Sequence, residues 1–241
     1  MFNALVALAA LVGGGIASVA GFGIGSILTP LLAINLGTKL AVAAVSIPHF
    51  LATALRLFLT RRHVDKRVLW TFGVTSAAGG LLGALLHTKI TSVALSYLLA
   101  ALLIFAGLTG ITGLASRIRF GRRSAWVAGA LSGVFGGLVG NQGGIRSAAM
   151  LAFDVPKEAF IATATAIALA VDVARMPVYA ATQAPQIARV WPMIVVATIG
   201  VIAGTLIGQP VLRRIPETYF RRVVAVLILA LGIAMLVHPG R

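Results

Sequence analysis

Three arginines and one aspartate lie inside stretches that are otherwise apolar: Arg56, Arg146, Asp172 and Arg175. Arg146 is the most informative. It follows the polar break Gly140-Asn-Gln-Gly-Gly144 by two positions, at the start of a short apolar arm. A guanidinium in hydrocarbon is expensive and by default marks a functional site. It can hold a sulfonate or carboxylate by two parallel hydrogen bonds. The free N–H groups that open a helix favour the same charge. Arg146 with Asn141, Gln142, Gly143 and Gly144 is therefore a candidate anion site. The competing reading of Arg146 is a structural ion pair with Asp172. Asn141 and Gln142 either bind substrate oxygens or satisfy the broken backbone.

Asp172 and Arg175 are three apart on one helix and can face the same way. The bland reading is a neutral pair that holds the helix in a bundle. The sharper one gives Asp172 a coupling proton, or makes it the counter-charge to Arg146 in an empty site, with Arg175 adding to the anion site. Pro177 follows and is expected to kink the helix. His49, just after Pro48, is either a neutral hydrogen-bonded histidine or a proton relay. Arg56 lies four residues from a basic cluster, so it can snorkel to the interface. An earlier break, Gly21-Phe-Gly-Ile-Gly25, adds Gly23, Gly25 and Ser26 as candidates, because glycine lets another group approach the backbone closely.

Other chemistries are excluded or weak. The chain has no cysteine, so disulfides, thiolate metal sites and cysteine nucleophiles are absent. Its four histidines show no metal-ligand spacing. The glycines at 21–25 lack the strand–loop–helix setting of a phosphate loop, and no nucleotide-binding motif is visible. No cofactor and no enzyme activity are expected; a membrane enzyme is disfavoured because no carboxylate pair, metal cluster or activated nucleophile appears.

The elements that must position these residues are membrane helices. Of 241 residues, 59% are hydrophobic and only 10% are charged, and mean hydropathy is +1.02. Soluble domains carry about 25% charged residues. Apolar runs fall at about 2–20, 26–36, 38–59, 68–86, 92–114, 124–140, 144–153, 158–182, 189–209 and 223–237. Most suit a spanning helix. The runs 26–36 and 144–153 are too short, and each follows a long run and a break. Broken backbone at membrane depth must be buried in protein or line a wet cavity. A long arm, a break and a short arm thus read as a re-entrant hairpin or a broken helix. Alternatively, the first arm spans fully and the short arm is interfacial. Residues 2–20 end in a cleavable-looking Ala17-Ser-Val-Ala20, but they lack a basic start and recur in kind at mid-chain, so they are expected to be mature structure.

The two halves match at an offset of about 119–122 residues. Gly21, Gly25 and Leu32 align with Gly140, Gly144 and Leu151; Arg56 with Arg175; Trp70 with Trp191; Gly79 and Gly83 with Gly200 and Gly204. Tyr97 falls near Tyr219. The glycine pairs have the small-xxx-small spacing of helix packing. The expected fold is an all-α polytopic membrane protein of two inverted repeats, each a hairpin plus three transmembrane helices. The repeats are 1–116 and 124–241, joined by a basic linker, 117–123.

The net charge of +15 comes from 20 basic against 5 acidic residues. Taken alone it suggests nucleic acid. Its distribution says otherwise. Thirteen basic residues, among them Arg61, Arg62, Lys66, Arg67, Arg117, Arg119, Arg122, Arg123, Lys157, Arg213, Arg214, Arg221 and Arg222, fall in one set of loops. Four (Lys39, Lys89, Arg189, Arg241) fall in the other. The positive-inside rule puts the rich set in the cytoplasm and both termini outside.

With its two glycine-rich breaks, Gly21-Phe-Gly-Ile-Gly-Ser-Ile-Leu-Thr-Pro-Leu-Leu32 and Gly140 to Leu151, the sequence resembles the sulfite exporter TauE/SafE family of membrane permeases. The resemblance implies a bacterial inner-membrane transporter of sulfite, sulfonates or other small organic acids. Its partners would be a small anionic substrate and the bilayer, with protons as a candidate coupling ion and a homo-oligomer allowed. The sequence departs from the family pattern where Ala149 stands opposite Pro30. The alternative function is a non-transporting membrane scaffold.

Overall fold

The computed structural model describes residues 2–114, 122–150, 153, 155–212 and 216–239. Of the residues used above, Arg117, Arg119, Leu151, Arg213, Arg214 and Arg241, with most of the 117–123 linker, lie outside them.

Helix α1 (Phe2–Ala20) runs to the first break, and α2 (Ile24–Leu36) leaves it. Next come α3 (Thr38–Thr60), α4 (Lys66–Lys89, which includes a π-turn over Leu69–Gly73) and α5 (Ser92–Thr112). The second half has α6 (Arg122–Val139), the short α7 (Gly143–Met150), α8 (Lys157–Arg189), α9 (Trp191–Leu212) and α10 (Glu217–Val237). The described residues are helical with turns, and six stretches are long and apolar enough to cross a membrane. These are α1, α3 with its following turn, α4, α5, α8 and most of α9. The protein is an integral membrane protein.

One expected boundary moves. The run anticipated at 158–182 continues as a single 33-residue helix to Arg189, with Pro177 and Pro185 inside it. At 1.5 Å per residue, α8 is about 50 Å long, well beyond the roughly 30 Å of hydrocarbon.

Both breaks are glycine-determined. Gly21 and Gly140 take positive φ, +76° and +71°, which side-chain-bearing residues rarely adopt. Each returns its N–H to the carbonyl four residues back, Ala17 or Gly136, at 3.0 Å. That bond closes the helix end with a left-handed residue.

The helices of the two halves interleave. Helix α1 packs along α9 and α6 along α4; α3 lies against α8, and α5 against α10. The glycine spacing works as expected. Gly79 faces the Ala130 carbonyl and Gly83 that of Val134, while Gly200 and Gly204 meet α1 at Ala10 and the Leu11 carbonyl. Such approach lets backbones touch, as dispersion-driven packing in lipid requires. Large side chains instead point outward: Phe58, Trp70, Ile199 and Val237 are among the most exposed. Trp191, Tyr97 and Tyr219 are exposed as well.

A Cβ at Gly204 would sit 2.0 Å from the Leu11 carbonyl oxygen, a backbone atom that cannot step aside. Gly204→Val should therefore destabilise the bundle by roughly 1–3 kcal/mol through overpacking. Leu206→Val, on the exposed side of α9, should leave the melting temperature nearly unchanged. Thermal melts of the two variants in one detergent check the contrast.

Candidate functional site: two crossed helix breaks and three buried arginines

The two breaks meet. A Cβ on Gly25 would fall 2.2 Å from the Gly140 carbonyl oxygen, and one on Gly143 would strike the Phe22 side chain at 2.2 Å. Ser26 Oγ donates to Asn141 Oδ1 across the crossing at 3.2 Å. Asn141 thereby ties one break to the other. Gln142 is buried: its backbone oxygen accepts from Ser132 Oγ at 2.9 Å, while its Oε1 has no partner. Gly23, at φ +139°, packs its bare face on Ile16.

Around the crossing lie three buried guanidiniums. Arg175 is fully engaged. Its Nε and Nη2 donate to Asp172 Oδ1 at 2.9 and 2.8 Å, and its Nη1 donates to the Gly136 carbonyl at 2.6 Å. The other Asp172 oxygen accepts from His49 Nδ1 at 2.6 Å. Asp172 is fully buried and His49 nearly so. Both carboxylate oxygens are thus taken, and Arg146 makes no ion pair with Asp172. Helical register explains this: Asp172 and Arg175 share one face of α8, whereas Arg146 enters from α7.

Arg146 is 2% exposed. Its Nη2 reaches the Gly21 carbonyl at 3.4 Å, and its Nε and Nη1 have no partner. Arg56 does not snorkel. It is buried in the same region, with Nη1 on the Ala17 carbonyl at 2.6 Å and Nη2 on Thr53 Oγ1 at 3.4 Å. Proximity to the basic cluster in sequence was misleading because its side chain turns inward towards the end of α1. Ala17 and Gly21 are one helical turn apart. The two guanidiniums therefore sit on carbonyls one turn apart at the negative end of α1.

Two further residues complete the site and carried no clear sequence signal. Tyr179 donates its hydroxyl to the Gly137 carbonyl, and His87 Nδ1 donates to that of Leu138 at 2.6 Å. Gln183 Nε2 approaches His87 Nε2 at 3.4 Å, and the His87 and Tyr179 rings lie 5.1 Å apart. With Arg175, they cap three successive carbonyls at the end of α6. Tyr179 stands one turn beyond Arg175 on α8, and that spacing alone could have flagged it. A cavity of about 500 Å³ between α3 and α8 opens beside Tyr179, lined mainly by apolar side chains such as Ile47, Met176, Ile187 and Trp191. It does not include the arginines.

The chemistry available at the crossing is anion binding. Three guanidiniums are buried there with one carboxylate, and the unpartnered atoms are Arg146 Nε and Nη1, Arg56 Nε, Gln142 Oε1 and Thr29 Oγ1. Side-chain positions on Gly21, whose carbonyl Arg146 reaches, and on Gly144, two residues before Arg146, meet no atom within 4 Å. The family model of the sulfite exporter TauE/SafE family matches residues 6–235, nearly the whole chain. The chain belongs to the sulfite exporter TauE/SafE family. No curated protein and no solved structure matches it. Membership makes the protein a membrane transporter of the sulfite or small-anion type.

In this TauE/SafE protein the Asp172–Arg175 pair is buried, so removing one charge leaves the other uncompensated. Asp172→Asn should lower stability by about 3–5 kcal/mol. A melt in detergent showing a clear drop supports this; a wild-type melting temperature contradicts it.

Proposed function

We propose that the chain is a secondary permease that exports a small oxyanion, such as sulfite or an organosulfonate, by alternating access. The observation that carries the reading is Arg146: a buried guanidinium with two unpartnered nitrogens where two helix breaks cross. A permanently unpaired buried cation would be strongly destabilising. An arriving anion removes that penalty and is drawn to the site for the same reason. Asn141, Gln142, Gly143, Gly144, Gly23, Gly25 and Ser26 shape the seat. Arg175 acts through the frame rather than by contact, because its donors are already committed.

Alternating access needs two related arrangements of one site. The inverted-repeat reading, 1–116 against 124–241, supplies them. It is supported by hydrogen bonds that recur about 119 residues apart, as with Gly21 to Ala17 and Gly140 to Gly136. The crossing is unequal in a way that suits a transport cycle. Gly25 seats on Gly140, while the corresponding Gly144 is exposed and faces open space. Rocking one repeat against the other would exchange the closed and open sides. His49 and Asp172, sharing a short hydrogen bond on facing helices, are the groups through which a proton would couple. The membrane is the bacterial inner membrane, with both termini outside.

Sulfite loaded into vesicles should leave through the wild-type protein. Arg146→Ala should slow that flux by roughly a hundredfold, the worth of two charge-assisted hydrogen bonds. Unchanged flux would remove the anion site. The orientation is checked separately: His63 is exposed in the turn after α3, so a cysteine placed there should be labelled from the cytoplasmic face only. Labelling from outside would invert the topology.

A further inference from the structure

The two helix ends are held by the same hydrogen bond, yet one guanidinium is neutralised and the other is not. Arg175 Nη1 reaches the Gly136 carbonyl at 2.6 Å, and Arg56 Nη1 reaches the Ala17 carbonyl at 2.6 Å. Donor and acceptor are each displaced by the same 119 residues. Three residues before Arg175 stands Asp172; three residues before Arg56 stands Thr53. Asp172 occupies the Nε–Nη2 edge of Arg175. On Arg56 that edge holds only a 3.4 Å contact from Nη2 to Thr53 Oγ1, and Nε is buried without a partner. Thr53 and Arg56 are themselves buried.

We propose that the transported anion supplies the missing carboxylate: it docks on the Nε–Nη2 edge of Arg56 as well as on Arg146. The inference rests on the anion site described under the proposed function and adds Arg56 and Thr53 to it. The geometry suits one ligand. Arg56 and Arg146 hang from Ala17 and Gly21, one turn apart at the end of α1, and both keep buried nitrogens without partners. A planar guanidinium edge matches two oxygens of an oxyanion, as it does the carboxylate of Asp172. The Thr53 hydroxyl, released from Arg56, can donate to a third oxygen. Two cations that form no ion pair among the described residues favour a doubly charged oxyanion over a singly charged one. The first half of the molecule thus binds its counter-ion reversibly, and the second half carries a permanent one.

The test uses the purified full-length protein with sulfite as the probe, read by ligand-induced melting shift and by vesicle flux. Thr53→Asp rebuilds on Arg56 the pair already present on Arg175. It should melt no lower than wild type without ligand, lose the sulfite-induced shift, and transport at least about tenfold more slowly. Thr53→Asn, of similar size and uncharged, removes the hydroxyl but adds no counter-charge, and should reduce both readouts about threefold, clearly less than Thr53→Asp does. Arg56→Lys keeps the charge but not the fork, and should weaken sulfite binding about tenfold. Wild-type sulfite binding in Thr53→Asp, or in Arg56→Lys should the aspartate variant fail to fold, overturns the role of Arg56. Equal losses in Thr53→Asn and Thr53→Asp overturn it too, because shape rather than charge would then be responsible. Arg146→Gln separates the two levels. If it loses sulfite binding while the Arg56 and Thr53 variants do not, only this inference falls. If it also binds like wild type, the anion site itself falls.

Discussion

A helix that stops inside apolar protein leaves its last carbonyls without partners, and no water is at hand to satisfy them. The chain does this twice, at Gly21 and at Gly140. It meets the constraint with long cationic and aromatic side chains from other helices. Arg56 and Arg146 reach the end of α1; Arg175, Tyr179 and His87 reach the end of α6. Each of these bonds joins segments far apart in sequence. The breaks are thus both the weak points of the fold and the places where its halves are tied together.

Using guanidiniums for this purpose imports charge. At the end of α6 the charge is cancelled locally by Asp172, whose second oxygen is taken by His49. At the end of α1 neither Arg56 nor Arg146 forms an ion pair with a carboxylate among the described residues. The structural role of these residues and the anion binding proposed for them would therefore be one property. The nitrogens that hold the helix end fix the guanidiniums in place, and the remaining ones, Arg56 Nε and Arg146 Nε and Nη1, stay buried without partners. The glycine contacts serve the same end from outside the site. They press α1 onto α9 and α4 onto α6 with little tolerance for added volume, so the carbonyls presented to the arginines have a defined position.

Much of this was legible beforehand. The apolar runs, the two breaks and the recurrence at about 119–122 residues needed only composition and spacing. Arg146 was legible as a residue out of place. The partners were not. The basic neighbours of Arg56 in sequence allow snorkelling, but the direction of a long side chain is set by what lies across from it. Asp172 was open between Arg175 and Arg146; three-residue spacing on α8 favoured Arg175, and the fold adds His49, 123 positions away. Tyr179 and His87 drew no notice because a tyrosine and a histidine in apolar helices are unremarkable until they face a cut helix end.

The sequence by itself determined that the protein is a bundle of membrane helices, because hydrophobic length and glycine position act locally and leave few choices in lipid. It also determined where the helices break and that three arginines stay within them. Only the tertiary structure decided which carbonyls those arginines hold, which one Asp172 neutralises, and that the two breaks touch. Apart from the Asp172–Arg175 pair, those contacts join segments 39 to 125 residues apart. Their geometry depends on how whole helices pack, and a local pattern of residues carries no record of that.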